Sequence, residues 1–196
     1  MQTEVEAKFP DINPVSFREK LKEVGAILVY PEVFMRRRNF DYPDKRLEKL
    51  GGWVRIRDEG DKITFTYKQL KDRTLHGTKE IEVVVDDFDK LGDLLNSIGL
   101  EAKAYQETKR EKWKLGETEI TIDTWPWVPT FVELEAPDEG SLKHTVETLG
   151  LDWNQAMHGS VETIYQMHYD FTEAEIDGWE LITFIPEPDW LLAKKK

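Results

Sequence analysis

Apolar and polar positions alternate along much of this chain, and the phase of the alternation predicts most of its elements. Val5, Ala7 and Phe9 interleave with Glu4, Glu6 and Lys8. A β-strand here carries one apolar face and one face with two acids and a base. Asn13-Pro14 then opens a helix, with Asn as N-cap and Pro in the first turn. Phe17, Leu21 and Val24 follow at helical spacing, and Gly25 closes it. Residues 26–42 read as a long strand ending at the turn-rich Asp41-Tyr42-Pro43-Asp44. Trp53 to Arg57 and Ile63 to Leu70 alternate on either side of Glu59-Gly60-Asp61, which predicts a hairpin. A strand over 79–86 leads to Asp87, the cap of a helix with Phe88, Leu91, Leu94, Leu95 and Ile98 on one face and Gly99 at its end. Strands follow from about 101 to 115, from Glu119 to Trp125 after a turn at Gly116, and from Phe131 to Ala136. Helical patterns cover 138–149 and 153–168, and Thr172 with Glu175 makes a capping box for a last amphipathic segment.

The pattern repeats. Glu4-Val5-Glu6, a helix, Gly25 and a strand rich in basic residues is echoed by Glu80-Ile81-Glu82, a helix, Gly99 and Lys109-Arg110. Two such halves suggest an α+β fold, a closed pseudo-symmetric antiparallel barrel with helices outside; chance similarity of two strand–helix–strand units is the plain alternative. No low-complexity linker divides the chain. Residues 1–170 are expected to form the main domain, and 171–196 a C-terminal extension packed on it or trailing from it.

Composition narrows the function. The 196 residues are 39% hydrophobic and 34% charged, with seven Trp and nine Phe, which describes a folded chain with many ionisable groups rather than a disordered acidic one. A formal charge of −12 argues against non-specific binding to nucleic acid or to an anionic membrane, and leaves Lys194-Lys195-Lys196 as a solvated tail. No run is long enough to span a bilayer, and the amino terminus lacks a signal peptide's basic and apolar regions. Zero cysteines exclude disulfides, thiolate zinc and a cysteine nucleophile. A cytoplasmic monomer or homodimer is expected.

The polar strand faces are sorted by sign. Arg55 and Arg57 share one face; Thr64, Thr66 and Lys68 another; Glu119, Thr121 and Asp123 a third; Glu133 and Glu135 a fourth. Each alone is readable as a solvated outer face. Together they suit a wet interior, with the apolar faces turned to outer helices. Two carboxylates about 5 Å apart repel by roughly 3 kcal/mol at an effective dielectric near 20. A cluster of Glu4, Glu6, Asp123, Glu133 and Glu135 therefore calls for a cation, and an all-oxygen donor set suits Mg2+ or Mn2+. On facing walls Lys8, Arg55, Arg57, Lys68 and Arg110 are placed to hold phosphate oxygens.

These residues resemble the CYTH superfamily, the triphosphate tunnel metalloenzymes, which include class IV adenylate cyclases, thiamine triphosphatases and inorganic triphosphatases. Glu4-Val5-Glu6-Ala7-Lys8 is similar to the family's ExExK signature. Asn39-Phe40-Asp41-Tyr42-Pro43-Asp44, Leu47, Gly51 and Val54-Arg55-Ile56-Arg57 resemble its YFDTPD, L, G and LRIR block in order. Thr64-Phe65-Thr66-Tyr67-Lys68, Lys79-Glu80-Ile81-Glu82, Lys109-Arg110-Glu111 and Asp123 with Glu133 and Glu135 continue the series to residue 136. The resemblance implies a closed eight-stranded antiparallel β-barrel tunnel. It implies metal binding by Glu4, Glu6, Asp123, Glu133 and Glu135, with Glu80 and Glu82 as second-rank acids. Lys8, Arg55, Arg57 and Lys68 would be catalytic, joined in binding the triphosphate by Arg38, Lys109 and Arg110.

The chain also departs from the pattern. Asn39 stands where the family often has Tyr, and strand phase leaves open which of Arg36, Arg37 and Arg38 faces inward. Trp125-Pro126-Trp127-Val128-Pro129 replaces a Leu-Gly segment, as a loop packed on the barrel or as part of a tunnel mouth. His76 reads as an exposed loop residue; His144, His158 and His168 read as structural or surface groups in helices. The expected function is divalent-metal-dependent hydrolysis of inorganic, nucleoside or thiamine triphosphate. The alternatives are a class IV adenylate cyclase, which makes cyclic AMP and pyrophosphate from ATP, and a non-catalytic polyphosphate or nucleotide sensor.

Overall fold

The alternation becomes a curled antiparallel sheet with helices on its convex side. The computed structural model describes residues 2–3, 5–71 and 78–196, so Glu4 and His76 lie outside the described residues. The strands are β1 (Gln2–Thr3), β2 (Val5–Phe9), β3 (Ile27–Asp41), β4 (Gly52–Asp58), β5 (Ile63–Leu70), β6 (Thr78–Val85), β7 (Glu101–Leu115), β8 (Thr118–Thr124), β9 (Phe131–Ala136) and β10 (Leu181–Ile182). Helices α1 (Pro14–Glu23), α2 (Phe88–Ser97), α3 (Glu139–Leu149), α4 (Glu162–His168), α5 (Glu173–Asp177) and α6 (Asp189–Leu192) complete it. The expected helix starts hold. The Asn13 side chain accepts from Val15 N and Ser16 N, Asp87 from Asp89 N and Lys90 N, and Thr172 with Glu175 forms the capping box.

The internal echo is realised in the sheet. The two halves β2-α1-β3 and β6-α2-β7 meet along β3 and β7, both fifteen residues long and paired antiparallel from Ile27↔Lys114 to Asp41↔Glu101.

Closure is where the expectation fails. Among the described residues the hydrogen-bonded order is β1-β6-β5-β4-β3-β7-β8-β9-β2, an open path whose two end strands do not pair with each other, and β10 adds to β7 in parallel. The sheet is therefore not the closed eight-stranded barrel that the sequence suggests. The physical reason lies at the amino terminus. Gln2–Thr3 pairs with β6 and Val5–Phe9 with β9. The second edge of β2 is taken by Met157, whose N–H and carbonyl exchange hydrogen bonds of 2.9 Å with those of Lys8. A covered edge accepts no further strand. The same contact explains a second departure. Residues 153–168 are not one helix: a 3-10 turn at Trp153–Gln155 gives way to extended chain at Met157 and a left-handed Gly159 before α4 begins. His158 thus sits outside any helix, with Nδ1 3.1 Å from the Glu6 carbonyl.

The convex face is apolar. Val5, Ala7 and Phe9 pack with Ile120, Ile122, Val132 and Leu134 under Phe17 and Leu21 of α1 and Leu142, Val146 and Leu149 of α3. Phe40, Val54 and Ile56 pack under Phe88 and Leu95 of α2. A third cluster joins Trp125, Val128 and Phe131 to Ile164, Tyr165 and Tyr169, and to Ile176, Ile182 and Leu191 of the C-terminal segment. Gly51 is required in the β4 approach. Its φ is +69°, and a Cβ there would stand 2.2 Å from the Leu70 carbonyl oxygen.

Leu134 is fully buried at the centre of the first cluster. Leu134→Ala is expected to destabilise the protein by about 2–5 kcal/mol, read as a lower urea midpoint at unchanged slope. A loss under about 1 kcal/mol would show that this layer collapses onto the gap.

Candidate active site

The concave face gathers what the strand phases predict. Cross-strand register sets Lys8 opposite Glu133, Glu6 opposite Glu135, Arg110 opposite Asp123, Lys68 opposite Glu80 and Thr66 opposite Glu82. Such neighbours are close enough for direct ion pairs. Lys8 Nζ lies 2.9 Å from Glu133 and 3.1 Å from Glu6. Arg110 meets Asp123 through two bonds of 2.6 and 2.8 Å and reaches Glu133 at 3.4 Å. Lys68 lies 3.2 Å from Glu80. Arg57 donates to Glu59 from Nε at 2.8 Å and Nη2 at 2.5 Å, and Thr64 steadies that carboxylate at 3.0 Å.

Two pockets run through this face. The larger, about 470 Å³, opens between the ends of β3, β4 and β7 and the C-terminal segment. The smaller, about 180 Å³, carries beyond the residues it shares with the first the acids Glu59, Glu80, Glu82, Glu119 and Glu135 against Lys62 and Lys112. They share Arg55, Arg57, Lys68, Arg110 and Glu133, so the basic residues form a waist between an aromatic mouth and an acidic end. Asp41 shapes the mouth: its buried carboxylate accepts from Tyr42 N, Leu47 N and Glu48 N at 2.6, 3.1 and 2.9 Å.

The waist is positively stressed. Arg37 is only 7% exposed, and burial followed by the charges of Arg55, Arg57 and Arg110 drives its pKa well below the usual arginine value. Burial and Arg57 bring Arg55 down to about 10 against the pull of Glu80 and Glu82. Arg37 donates from Nη2 to Thr108 at 3.1 Å and stacks 4.6 Å from the Trp125 ring centre. The buried Nε groups of both Arg37 and Arg55 have no partner among the described residues. A buried donor without an acceptor costs stability, and here two of them stand on clustered guanidinium groups.

The acids behave differently. Burial opposes the charge on Glu133, but Lys8 and Arg110 outweigh it and hold its carboxyl low. Burial and then Glu133, Glu119 and Glu6 push Glu135 up to about 7. A divalent cation would relieve that crowding, and the oxygen donors of Glu6, Glu133 and Glu135 are of the type a hard ion takes, although Lys8 holds Glu6 and Glu133 and Arg110 reaches Glu133. Asp123 fits less well, since Arg110 and Thr121 already occupy its oxygens. Among the described residues no three or more His, Asp and Glu side chains converge as a metal cluster.

The structure brings together Glu6, Lys8, Arg55, Arg57, Lys68, Glu80, Glu82, Arg110, Glu133 and Glu135, and places Asp123 buried behind Arg110. Arg38 and Lys109 are elsewhere. Arg38 points to the convex side, 3.1 Å from Asp89 and 4.9 Å over Phe88; Lys109 lies 3.9 Å from Glu32 and 5.3 Å over Phe184. Of the three consecutive arginines, Arg37 faces inward. The signal was present: Phe34 and Phe40 share the parity of Arg36 and Arg38, and Phe40 belongs to the core under α2. Glu59, Glu119, Asn39 and Trp125 also line the pockets. Trp125 both packs in the core and borders the mouth, which joins the two readings of its loop.

The antiparallel sheet thus cups a buried arginine cluster and a row of carboxylates. The CYTH domain model matches residues 2–172, and the chain belongs to that family, which is implicated in phosphoryl and nucleotidyl chemistry. It is 29% identical over 136 residues to a Methanocaldococcus jannaschii protein named "Putative adenylate cyclase", covering 69% of this chain and 76% of that one. A Vibrio parahaemolyticus structure described as "a putative adenylate cyclase" superposes with a TM-score of 0.71 at 19% identity, covering 84% of this chain and 98% of that one. A Hippeastrum structure, described as a "Putative adenylyl cyclase" with a dominant triphosphatase activity, gives 0.57 at 14% identity, with coverages of 84% and 95%. No helix among the described residues is long and apolar enough to cross a membrane.

The inward and outward arginines are separable in solution. Arg37→Gln is expected to weaken binding of inorganic triphosphate at least about tenfold in calorimetry, the scale of one lost charge-assisted contact. Arg38→Ala should change it less than about twofold, and equal effects would dissolve the inward–outward distinction. A second expectation concerns pH. Burial opposes the Glu59 charge, but Arg57 outweighs it and lowers its pKa from 4.5 to about 2. The stability this carboxylate supplies is complete above its unfolded value and is lost as pH falls from about 4.5 toward 2. Glu59→Gln should therefore flatten the acid limb of a stability–pH curve, and an unchanged limb would refute the pairing.

Proposed function

We propose that this protein is a divalent-cation-dependent enzyme of nucleoside triphosphates that cyclises ATP to cyclic AMP and releases pyrophosphate. The observation that carries the reading is the pair of unpartnered guanidinium donors on Arg37 and Arg55, at a basic waist that opens into an aromatic mouth. The waist suits a phosphate chain, and the mouth has room and apolar lining for the ribose and base. The names of the Methanocaldococcus and Vibrio proteins support the same reading.

Lys8, Arg55, Arg57, Lys68 and Arg110, with Arg37, are assigned to the phosphate oxygens. Holding the chain in line leaves the ribose 3′-hydroxyl to attack the α-phosphorus. One P–O bond forms, the α–β bridging bond breaks, and the hydroxyl proton passes to water. Bound magnesium or manganese would neutralise charge on the phosphate oxygens. Glu6, Glu133 and Glu135 are the residues assigned to hold it, with Glu4 added from the ExExK resemblance alone and Glu80 and Glu82 second. Asp123 is assigned to fix Arg110.

Hydrolysis of the triphosphate is the second reading. The polar, acid-lined end beyond the waist favours it by giving water a route to the far phosphate, and the triphosphatase activity ascribed to the Hippeastrum protein speaks for it.

Incubation with Mg2+ or Mn2+ and ATP, inorganic triphosphate or thiamine triphosphate separates them. Cyclic AMP with pyrophosphate is the expected product pair; inorganic phosphate alone would replace the first reading with the second, and no turnover of any substrate would overturn both. Arg55→Ala should lower kcat/KM by about 10²–10³-fold, the usual range for a lost donor to developing charge.

A further inference from the structure

The wide mouth has one wall that does not come from the family-matched residues 2–172. Ile176, Trp179 and Ile182 of the C-terminal segment face the same pocket as Asn39, Trp53 and Trp125 of the sheet and its loops. We infer that the segment from Glu173 to Ile182 builds, with Asn39, a subsite that selects adenine among the bases of a nucleoside triphosphate. The inference rests on the nucleotide reading proposed above.

The C-terminal wall is chemically unsuited to phosphate. From Thr172 to Ala193 the chain contains no lysine or arginine, while Glu173 and Asp177 border the pocket. A triphosphate entering this pocket is therefore drawn to the basic waist, and its uncharged end is left against this wall.

The wall is also fixed in place. Leu181 and Ile182 pair in parallel with Tyr105 and Gln106, and Tyr105 N donates to the Glu180 carbonyl at 2.8 Å. Phe184 N donates to Glu107 at 3.0 Å, and Trp127 Nε1 to the Ile185 carbonyl at 2.9 Å. Trp179 is braced edge-on by Tyr165, Phe171 and Trp190, each with ring centres 5.2 Å away. A surface ordered before binding loses little entropy when a ligand arrives.

Aromatic walls alone do not choose between bases, because every base offers a π-face. Asn39 supplies the choice. It lies on β3 opposite Arg55, lines the mouth, and its buried Oδ1 has no partner among the described residues. A side-chain amide carries an acceptor beside a donor, the complement of adenine's amino group and N7. Hypoxanthine replaces that amino donor with a carbonyl, so the Asn39 oxygen would stay unsatisfied and the carbonyl would face it.

Calorimetric affinities for ATP, inosine triphosphate and inorganic triphosphate, without divalent cation, test this on the wild type and on Asn39→Leu and Trp179→Leu. The wild type is expected to prefer ATP to inosine triphosphate by at least about tenfold, the scale of one bidentate base contact. Asn39→Leu should erase that preference, Trp179→Leu should weaken both nucleotides, and neither should alter inorganic triphosphate by more than about twofold. Equal wild-type affinities for the two nucleotides would overturn the subsite, and this measurement needs no variant to fold. Loss of inorganic triphosphate affinity in Asn39→Leu matching its loss of ATP affinity would also overturn it, by placing Asn39 in the phosphate grip. Tight inorganic triphosphate with no preference between nucleotides would fell the subsite and leave the waist standing. Failure to bind any of the three would fell the proposed function as well.

Discussion

Burying a charged side chain costs several kcal/mol unless an opposite charge and hydrogen bonds replace the lost water. This chain buries Lys8, Arg37, Arg55, Glu6 and Asp123 on one face of one sheet. The rest of the molecule is arranged around that cost. Strand register offsets most of it by setting Lys8 across from Glu133 and Arg110 across from Asp123. Arg37 and Arg55 are the exceptions, with Nε groups that face no acceptor among the described residues. Asn39, opposite Arg55, likewise leaves its buried Oδ1 without a partner among the described residues.

The same residues divide the face into three zones. Cations concentrate at the waist, carboxylates crowd beyond it until Glu135 is pushed toward neutrality, and rings gather at the mouth. The stability of the scaffold is provided elsewhere, by the apolar outer faces under α1, α2 and α3. That separation lets the inner face keep repulsions that a hydrophobic core would not tolerate.

How much of this was legible depended on whether local spacing decided it. Period-two alternation placed Glu6, Lys8, Arg55, Arg57, Lys68, Glu133 and Glu135 on inner faces, because side-chain direction along a strand needs no tertiary information. Arg38 and Lys109 lie on the opposite parity from Arg37 and Arg110, and both are turned outward. The 153–168 segment misled because its apolar spacing fits a helix, while Lys8 offers Met157 a strand edge instead. Closure misled for the same reason. An edge covered by a bridge from residue 157 is a long-range event that no window of sequence contains.

Sequence alone thus determined the strand–helix order from β2 to α3, the sorting of charge by face and the family to which the chain belongs. Each is fixed by local periodicity or by motif spacing. Tertiary structure alone decided that the sheet is open, that Asp123 is bound to Arg110, and that the C-terminal segment walls the mouth. Those outcomes depend on which partner reaches a given edge, charge or surface first in space, and residues distant along the chain settle that.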